Sequence, residues 1–539
     1  MKIHLLSFLF VVNCFSQSNI VNTNEWQLNN NSNGIFLEKW YSENSKETSN
    51  TIIVATLDTQ IDLDHEDLKN NIWVNKNEIP NNGIDDDKNG YIDDKNGWNF
   101  VGKPNGDYYV YGNFEYVRII QKWDSIFKNK NPNEIQENLL ASYYTYKTAK
   151  DFHEYYVNYY TNWKESLEFD ISIFPIITDS LKLYFPKEDY TLKDLDSLYI
   201  KYKLNDKSYW QRRMDNDKDF GALLSYKINI EKNEKTIENL VYNKSQKDSI
   251  LNQNLNIDFV DRRLIKDNPK ILEKGYGNPI VNSFNKLEIH GTKVSSLISS
   301  KRENNNGLYG FHNQIKIMPL SISVSGDEHD KDIAMAIYYA VDNGAKVINM
   351  SFGKEFSLEQ EWVNDAIKYA ENKNILIIHS SGNESKNLDT NLYYPTDVKY
   401  GEVNEFSSNF ITVGSISKRT DSTMVSPFSN YGKNNVDIFA PGEEIYVAIP
   451  DNQYTYDSGT SLAAPMVSGT AALIWLYYPN LTVQEVKKII LESGVTIDKI
   501  VIKPGTENEL VHFSELCKSG KILNTYNAMK MAEEMSKKK

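Results

Sequence analysis

The sequence predicts an α/β fold: a doubly wound, mainly parallel sheet interrupted by a large, mostly helical insertion. Three observations carry that expectation. Short, nearly continuous apolar runs each end in a polar residue, which is how strands covered on both faces read. Helix-period segments separate those runs, as the crossovers of a parallel sheet require. Between the first run and the rest lies a long stretch with helical periodicity and few strand-like runs.

The first strand is Ile52 to Leu57, ending at Asp58. The same grammar returns at Val347 to Met350 running into Ser351, at Ile375 to Ile378 running into His379, and at Ile411 to Gly414 running into Ser415. Ile333 to Asn343 spaces Ala334, Ile337, Ala340 and Val341 as a helix and stops at Gly344. Leu358 to Glu371 repeats the pattern with Trp362, Ala366, Ile367 and Ala370. In such a sheet the working groups sit at the carboxyl ends of the strands.

The amino terminus has the pattern of a secretory signal peptide over residues 1–17: Lys2, an apolar run from Leu5 to Val12, then polar residues to Gln17. Asn13 argues against Cys14 as a lipoprotein acceptor, so export to the periplasm or the medium without a lipid anchor is expected. Residues 18–50 are Asn- and Ser-rich and read as a surface arm with one short helix near Phe36 to Tyr41. Residues 51–102 form the first part of the α/β domain, 103–275 the insertion, and 276–539 the second part. Within the insertion, Phe152, Tyr155, Tyr156, Tyr159, Tyr160 and Trp163 make one aromatic helix face, and Phe114, Val117, Ile120 and Trp123 a shorter one.

Composition narrows the partners. The 539 residues carry 59 basic and 73 acidic side chains, a net charge of −14, which argues against a phosphate backbone or an anionic membrane as partner. After the leader no run approaches the ~20 apolar residues that span a bilayer. With only two cysteines, Cys14 and Cys517, no disulfide framework or cysteine-based metal site is expected. Six histidines, His65, His153, His312, His329, His379 and His512, lack metal-ligand spacing and read as structural or surface residues.

Three polar residues each begin or end a regular element in a small-residue context. Asp58 ends the first strand, His290 opens a helix, and Ser461 sits in a turn of small residues that feeds a helix to about Tyr477. A hydroxyl needs a base in reach and an acid fixing that base's tautomer before it attacks a carbonyl, and Asp, His and Ser supply those parts. A serine at a helix start also has backbone N–H groups aimed where an oxyanion forms. Asn383, just past a strand, offers the second donor.

These blocks resemble the active-site motifs of the subtilisin-like serine proteases, the subtilases. The resemblance rests on Asp58-Thr59, His290-Gly291-Thr292 and Gly459-Thr460-Ser461-Leu462-Ala463-Ala464-Pro465, in the family's order. Val347 to Gly353 is similar to the strand lining the family's substrate cleft, and Ser381-Gly382-Asn383 to its oxyanion segment. Pro427 to Gly432 and Ala440-Pro441-Gly442 resemble the segment before its nucleophile. The resemblance implies a serine endopeptidase acting on protein or peptide. Asp58 would orient, His290 would act as base and acid, Ser461 as nucleophile and Asn383 as oxyanion donor, with Ser351, Phe352, Gly353 and Gly382 holding substrate. Two alternatives share the motifs: a transpeptidase, and an inactive scaffold that binds through the insertion. Gln60 stands where the family usually has glycine and Lys293 where histidine often follows. If position 60 needs positive φ, Gln60 strains the turn behind Asp58.

Residues 85–96 form an acidic loop. Asp85, Asp87, Asn89, the Tyr91 carbonyl and Asp93, with Gly90 at the sharp turn, reproduce the first nine positions of a calcium loop, with Asp94 available to complete the shell in place of Asn96. A structural calcium ion is expected there, and no catalytic metal.

Overall fold

The computed structural model describes residues 25–30, 33–45, 47–107, 110–233, 235–282, 289–302, 308–399, 402 and 404–539. The expected signal peptide lies outside the described residues.

The strands are β1 (Ile52–Asp58), β2 (Trp98–Asn99), β3 (Ile315–Ser321), β4 (Val347–Met350), β5 (Leu376–Ser380), β6 (Phe410–Ile416), β7 (Ile438–Pro441), β8 (Ile445–Ile449), β9 (Gln453–Asp457), β10 (Val495–Thr496), β11 (Ile500–Ile502), β12 (Leu510–His512) and β13 (Lys521–Ile522). Nine of them form one sheet in the order β10-β13-β7-β6-β5-β4-β1-β3-β2. Every pairing in it is parallel except β10 with β13. Non-consecutive neighbours such as β1 and β3 mark the crossovers of a doubly wound sheet.

Alternate residues of each strand serve opposite faces. Val54, Ile317, Val347 and Ile378 join one core, whereas Ala55, Met318, Ile348 and Ile377 join the other. The second core is closed by α10 (Asp330–Asp342) and α11 (Gln360–Asn372), the two helices that the periodicity predicts. The first is closed by α9 (His290–Ser299), α12 (Thr460–Tyr477), α13 (Val483–Ser493) and α14 (Thr525–Ser536). In α12 every residue from Thr460 to Leu476 is buried except Ser461. Among the described residues α12 is the one helix long and apolar enough to cross a membrane, but 89% of it is buried in this core.

The expected surface arm is corrected by the structure. The helix α1 (Leu37–Glu43) places Leu37 and Trp40 in the first core, and Trp40 meets Tyr477 edge-on at 4.9 Å. Arg302 pairs with Glu38 at 2.6 Å and stacks its guanidinium 4.0 Å from the Tyr41 ring. Polar composition around it hides these few apolar residues, which have no helix face long enough to read by period.

The insertion contains α2 (Glu115–Phe127), α3 (Leu140–Lys182), α4 (Leu192–Tyr202), α5 (Tyr209–Met214), α6 (Phe220–Lys232), α7 (Ile237–Ser249) and α8 (Arg262–Ile265). At 43 residues α3 is ~65 Å long, and its two halves build separate cores. Its aromatic face divides. Phe152, Tyr156 and Tyr160 pack inward, with Phe152 edge-on to Phe356 at 5.1 Å, whereas Tyr155, Tyr159 and Trp163 stay exposed. At its base the insertion holds the α/β domain through buried ions. Lys354, just beyond β4, donates to Glu115 at 3.0 Å and to the Glu328 carbonyl, and pairs with Asp330 at 2.8 Å. Burial alone would raise the Glu115 pKa, but Arg118 and Lys354 hold it well below the carboxylate range. Because an unpaired buried charge is costly, this pairing specifies how the insertion sits.

Candidate active site

Asp58 is the last residue of β1, a central strand, and its side chain is 2% exposed. Its backbone carbonyl accepts from Ile322 and its Oδ1 from the Thr59 N–H at 2.7 Å. Both carboxylate oxygens face His290 Nδ1, at 2.8 and 3.0 Å. A carboxylate only accepts, so Nδ1 carries the proton and Nε2 is left as the acceptor. Burial lowers the His290 pKa, but the charge of Asp58 and its hydrogen bond more than offset that and hold it above its ordinary value. Close approach of the two segments depends on Gly291: a Cβ there would lie 2.5 Å from the Thr59 carbonyl oxygen. The Gly291 N–H instead reaches Thr59 Oγ1 at 2.9 Å.

Ser461 is the second residue of α12. Pro465, four residues on, has no N–H to give, so the Ser461 carbonyl lacks its helical partner. Ser351 supplies one: its Oγ donates to the Ser461 carbonyl at 2.8 Å, receives Asn349 Nδ2 at 2.9 Å, and Asn349 in turn receives Ser468 Oγ at 2.8 Å. This buried chain of hydroxyls and amide fixes the turn at the head of α12 against the end of β4. Ser351 therefore points into the protein, where the resemblance would have it hold substrate. Lys293, one turn after His290, pairs with Asp457 at 2.6 Å and ties the histidine's helix to the loop entering α12.

Asn383 follows β5. Its Oδ1 accepts from the Thr460 N–H at 2.9 Å and the Thr460 hydroxyl at 3.0 Å. Those donors identify the oxygen end of the amide; among the described residues no hydrogen bond engages its NH2, and a Cβ built on Gly459 would lie 3.6 Å from that nitrogen and 3.7 Å from the Ser461 nitrogen. Among the described residues no hydrogen bond engages His290 Nε2, Ser461 Oγ or the Ser461 N–H. A ring nitrogen able to accept, a hydroxyl and two N–H donors are thus left without hydrogen bonds among the described residues.

Gln60 keeps a negative φ, so the expected strain does not arise. It is buried and donates from Nε2 to the Ile280 carbonyl at 2.7 Å, which braces the chain re-entering from the insertion against the Asp58 turn.

In the acidic loop the structure assembles a different set from the predicted one. Glu78, Asp87 and Asp94 bring carboxylate oxygens within 4.8 Å of one another. Glu78 is 2% exposed and its Oε2 has no hydrogen-bond partner among the described residues. Burial, only partly offset by hydrogen bonds from Tyr339, Asn89 and Asn75, pushes Asp94 up to about 6. Asp87 thus stays in the cluster, with Asn89 hydrogen-bonded to Asp94 at 2.8 Å, while Asp85 receives the Asn89 and Gly90 N–H groups. Asp93 turns away to receive the N–H groups of Asn82 and Gly83 at 3.0 and 3.1 Å, and the Tyr91 side chain is buried against Trp98. Glu78 lies outside the twelve-residue loop pattern, and the turn that brings it back to accept from the Asp87 N–H at 3.1 Å, nine residues on, places it in the cluster.

A parallel sheet with an aspartate-held histidine at one strand end and an unburied serine at the head of a buried helix is an α/β architecture of the kind serine hydrolases use. A family model described as "Subtilase family" matches residues 202–514, and this chain belongs to that family. The matched stretch contains His290, Asn383 and Ser461 and also the distal part of the insertion, whereas Asp58 precedes it. Among curated relatives, the cell wall-associated protease of Bacillus subtilis (strain 168) is 36% identical over 219 residues, 40% of this chain and 22% of that protein. The thermophilic serine proteinase of Bacillus sp. (strain AK1) is 33% identical over 37% of this chain and 46% of its own length. The chain therefore spans less than half the length of either. Among solved structures, the prenylagaramide maturation protease PagA is 28% identical, with a TM-score of 0.37 over 45% of this chain and 82% of that one.

Proposed function

We propose that the protein is an exported serine endopeptidase. The observation that carries this reading is the Asp58–His290 contact at 2.8 Å, which leaves His290 Nε2 as the acceptor a serine nucleophile needs; Thr460, next to Ser461, meanwhile orients the Asn383 amide. In this reading Ser461 Oγ attacks the scissile carbonyl while His290 Nε2 takes its proton. The charge on the former carbonyl oxygen is met by the Ser461 N–H and Asn383 Nδ2, both held before substrate arrives. His290 then protonates the leaving amine, and water releases the acyl group from Ser461 by the reverse proton route.

Labelling with a fluorophosphonate probe tests the reading: the wild-type chain is expected to be labelled at Ser461, and absence of labelling in the calcium-loaded protein would refute it. Products bearing an added amine in place of a new carboxylate would turn the reading to transpeptidation. Asn383→Ala is expected to lower kcat ~100- to 1,000-fold with KM little changed, the scale found when a subtilisin loses one such donor. A kcat within a few fold of wild type would remove Asn383 from the oxyanion site.

The Glu78, Asp87 and Asp94 group fits a hard cation, because it offers clustered oxygens and one buried carboxylate oxygen without a partner. We assign a structural calcium ion to it, with no part in the reaction. A chelator is then expected to lower the melting temperature by several degrees, since saturation at a hundredfold over Kd contributes about 2.7 kcal/mol. Glu78→Gln should abolish that response. A chelator-insensitive melting temperature in the wild type would reject the site, and magnesium in place of calcium tests its size.

A further inference from the structure

Two segments carry the groups that the endopeptidase reading sets to work together: α9, which begins at His290, and the chain from β9 into α12, which delivers Ser461. The bonds that leave the first turn of α9 run mostly to the Asp58 side. His290 Nδ1 meets the Asp58 carboxylate, the Gly291 N–H reaches Thr59 Oγ1 at 2.9 Å, and Thr292 Oγ1 receives the Asp62 N–H at 2.9 Å. Among the described residues one side chain of that turn reaches the other segment instead: Lys293 Nζ donates to Asp457 Oδ2 at 2.6 Å. Asp457 ends β9, and its Oδ1 receives the Ser458 N–H at 2.7 Å. One carboxylate therefore holds α9 and also shapes the chain as it turns toward Ser461.

We propose, on the endopeptidase reading above, that Lys293 and Asp457 are positioning residues that act through His290: their ion pair clamps the helix of the general base to the chain that delivers the nucleophile, without adding net charge beside the base. The clamp rests on one of the chain's departures from the family motif, since histidine often stands at position 293. The Lys293 side chain is 12% exposed and that of Asp457 is 40% exposed. A lysine so far withdrawn from water depends on its carboxylate partner, because a buried charge left alone is costly.

Three charged groups face the His290 ring: Asp58 at the end of β1, Lys293 one turn along α9 and Asp457 at the end of β9. Burial lowers the His290 pKa, and the charge and hydrogen bond of Asp58 more than offset it. Beyond these, Lys293 lowers it and Asp457 raises it, so the two partners act on the base in opposite senses. A neutral side chain at either position breaks the clamp and leaves the other partner's charge unopposed.

The test is peptide hydrolysis by the full chain across pH. Lys293→Met should lower kcat by up to ~100-fold, the scale of an about 1 Å misplacement in a catalytic site, and should move the rising limb to higher pH. Asp457→Asn should also lower kcat but move that limb to lower pH. Lys293→Arg keeps the pair and should keep both kcat, within a few fold, and the midpoint. In the double variant Lys293→Met/Asp457→Asn the loss should be no greater than in the worse single one, as residues acting as a unit require, with a midpoint between the two. A merely structural pair would lower kcat without separating the midpoints. Midpoints that coincide or move the same way, or losses that multiply, would overturn the proposal. Should Lys293→Met not fold, Asp457→Asn, at the more exposed position, decides by the direction of its shift.

A readout free of catalysis is the His290 imidazole titration, followed by NMR on histidine-labelled chains carrying Ser461→Ala, with the signal identified by its loss in His290→Gln. The two substitutions should again move it in opposite directions. Opposed shifts there, with no fluorophosphonate labelling of the wild type, would overturn the endopeptidase reading and leave the hold on His290 supported. Labelling at Ser461 with an unmoved imidazole titration would overturn the clamp alone.

Discussion

Ser461→Ala is expected to lower turnover of a peptide substrate ~10⁶-fold, the scale measured on subtilisin, itself a member of this family. The size follows from what remains. The Ser461 N–H and Asn383 amide remain, so binding and oxyanion stabilisation persist, but no oxygen is left to form the acyl intermediate. Little change in stability is expected, because Ser461 is the one residue between Thr460 and Leu476 that is not buried, and its carbonyl, which Ser351 holds, is untouched. The measurement is steady-state hydrolysis beside fluorophosphonate labelling. Residual turnover within a hundredfold of wild type, with the fold intact by melting temperature, would show that another group is the nucleophile.

Asp58→Asn is expected to cost ~10⁴-fold in kcat, because an amide can present an N–H to His290 Nδ1 and drive the ring into the tautomer whose Nε2 carries a proton. This variant should also move the pH profile. The base must be neutral to accept the Ser461 proton, so activity rises with pH through the His290 pKa, which Asp58 holds above its ordinary value. Removing that charge leaves burial and Lys293, which both lower the pKa, opposed by the Asp457 carboxylate, and the midpoint should fall. The same pairing has a consequence for stability. A raised histidine pKa contributes stability in full below the unfolded value near ~6.5, and that contribution is lost as pH rises through the folded pKa. A midpoint for Asp58→Asn at or above that of wild type would contradict the assigned roles.

Much of this site is legible along the chain. The strand runs end at Asp58, Ser351, His379 and Ser415, and apolar runs of that length bounded by polar residues are the mark of strands buried on both faces. Small residues around Ser461 also read directly, since a helix entered through Gly459 and packed along the middle of one sheet face tolerates little bulk. The length between Asp58 and His290, 232 residues, marks the insertion without revealing its fastening. Lys354, Glu115 and Asp330 are ordinary residues singly, and only burial in one place makes them a unit.

The sequence by itself determined the family of the protein, the chain order of the motifs that mark it and where the mostly helical stretch falls, because these depend on local periodicity and on motifs contiguous along the chain. Tertiary structure decided the rest. It released Gln60 from the strain expected of it, since the sign of φ is set by what the turn packs against. It brought Glu78 up to Asp87 and Asp94 at the acidic cluster, and it turned Ser351 inward to complete a carbonyl that Pro465 leaves open. Each outcome depends on distances between segments brought together by folding, and such distances leave no trace in spacing along the chain.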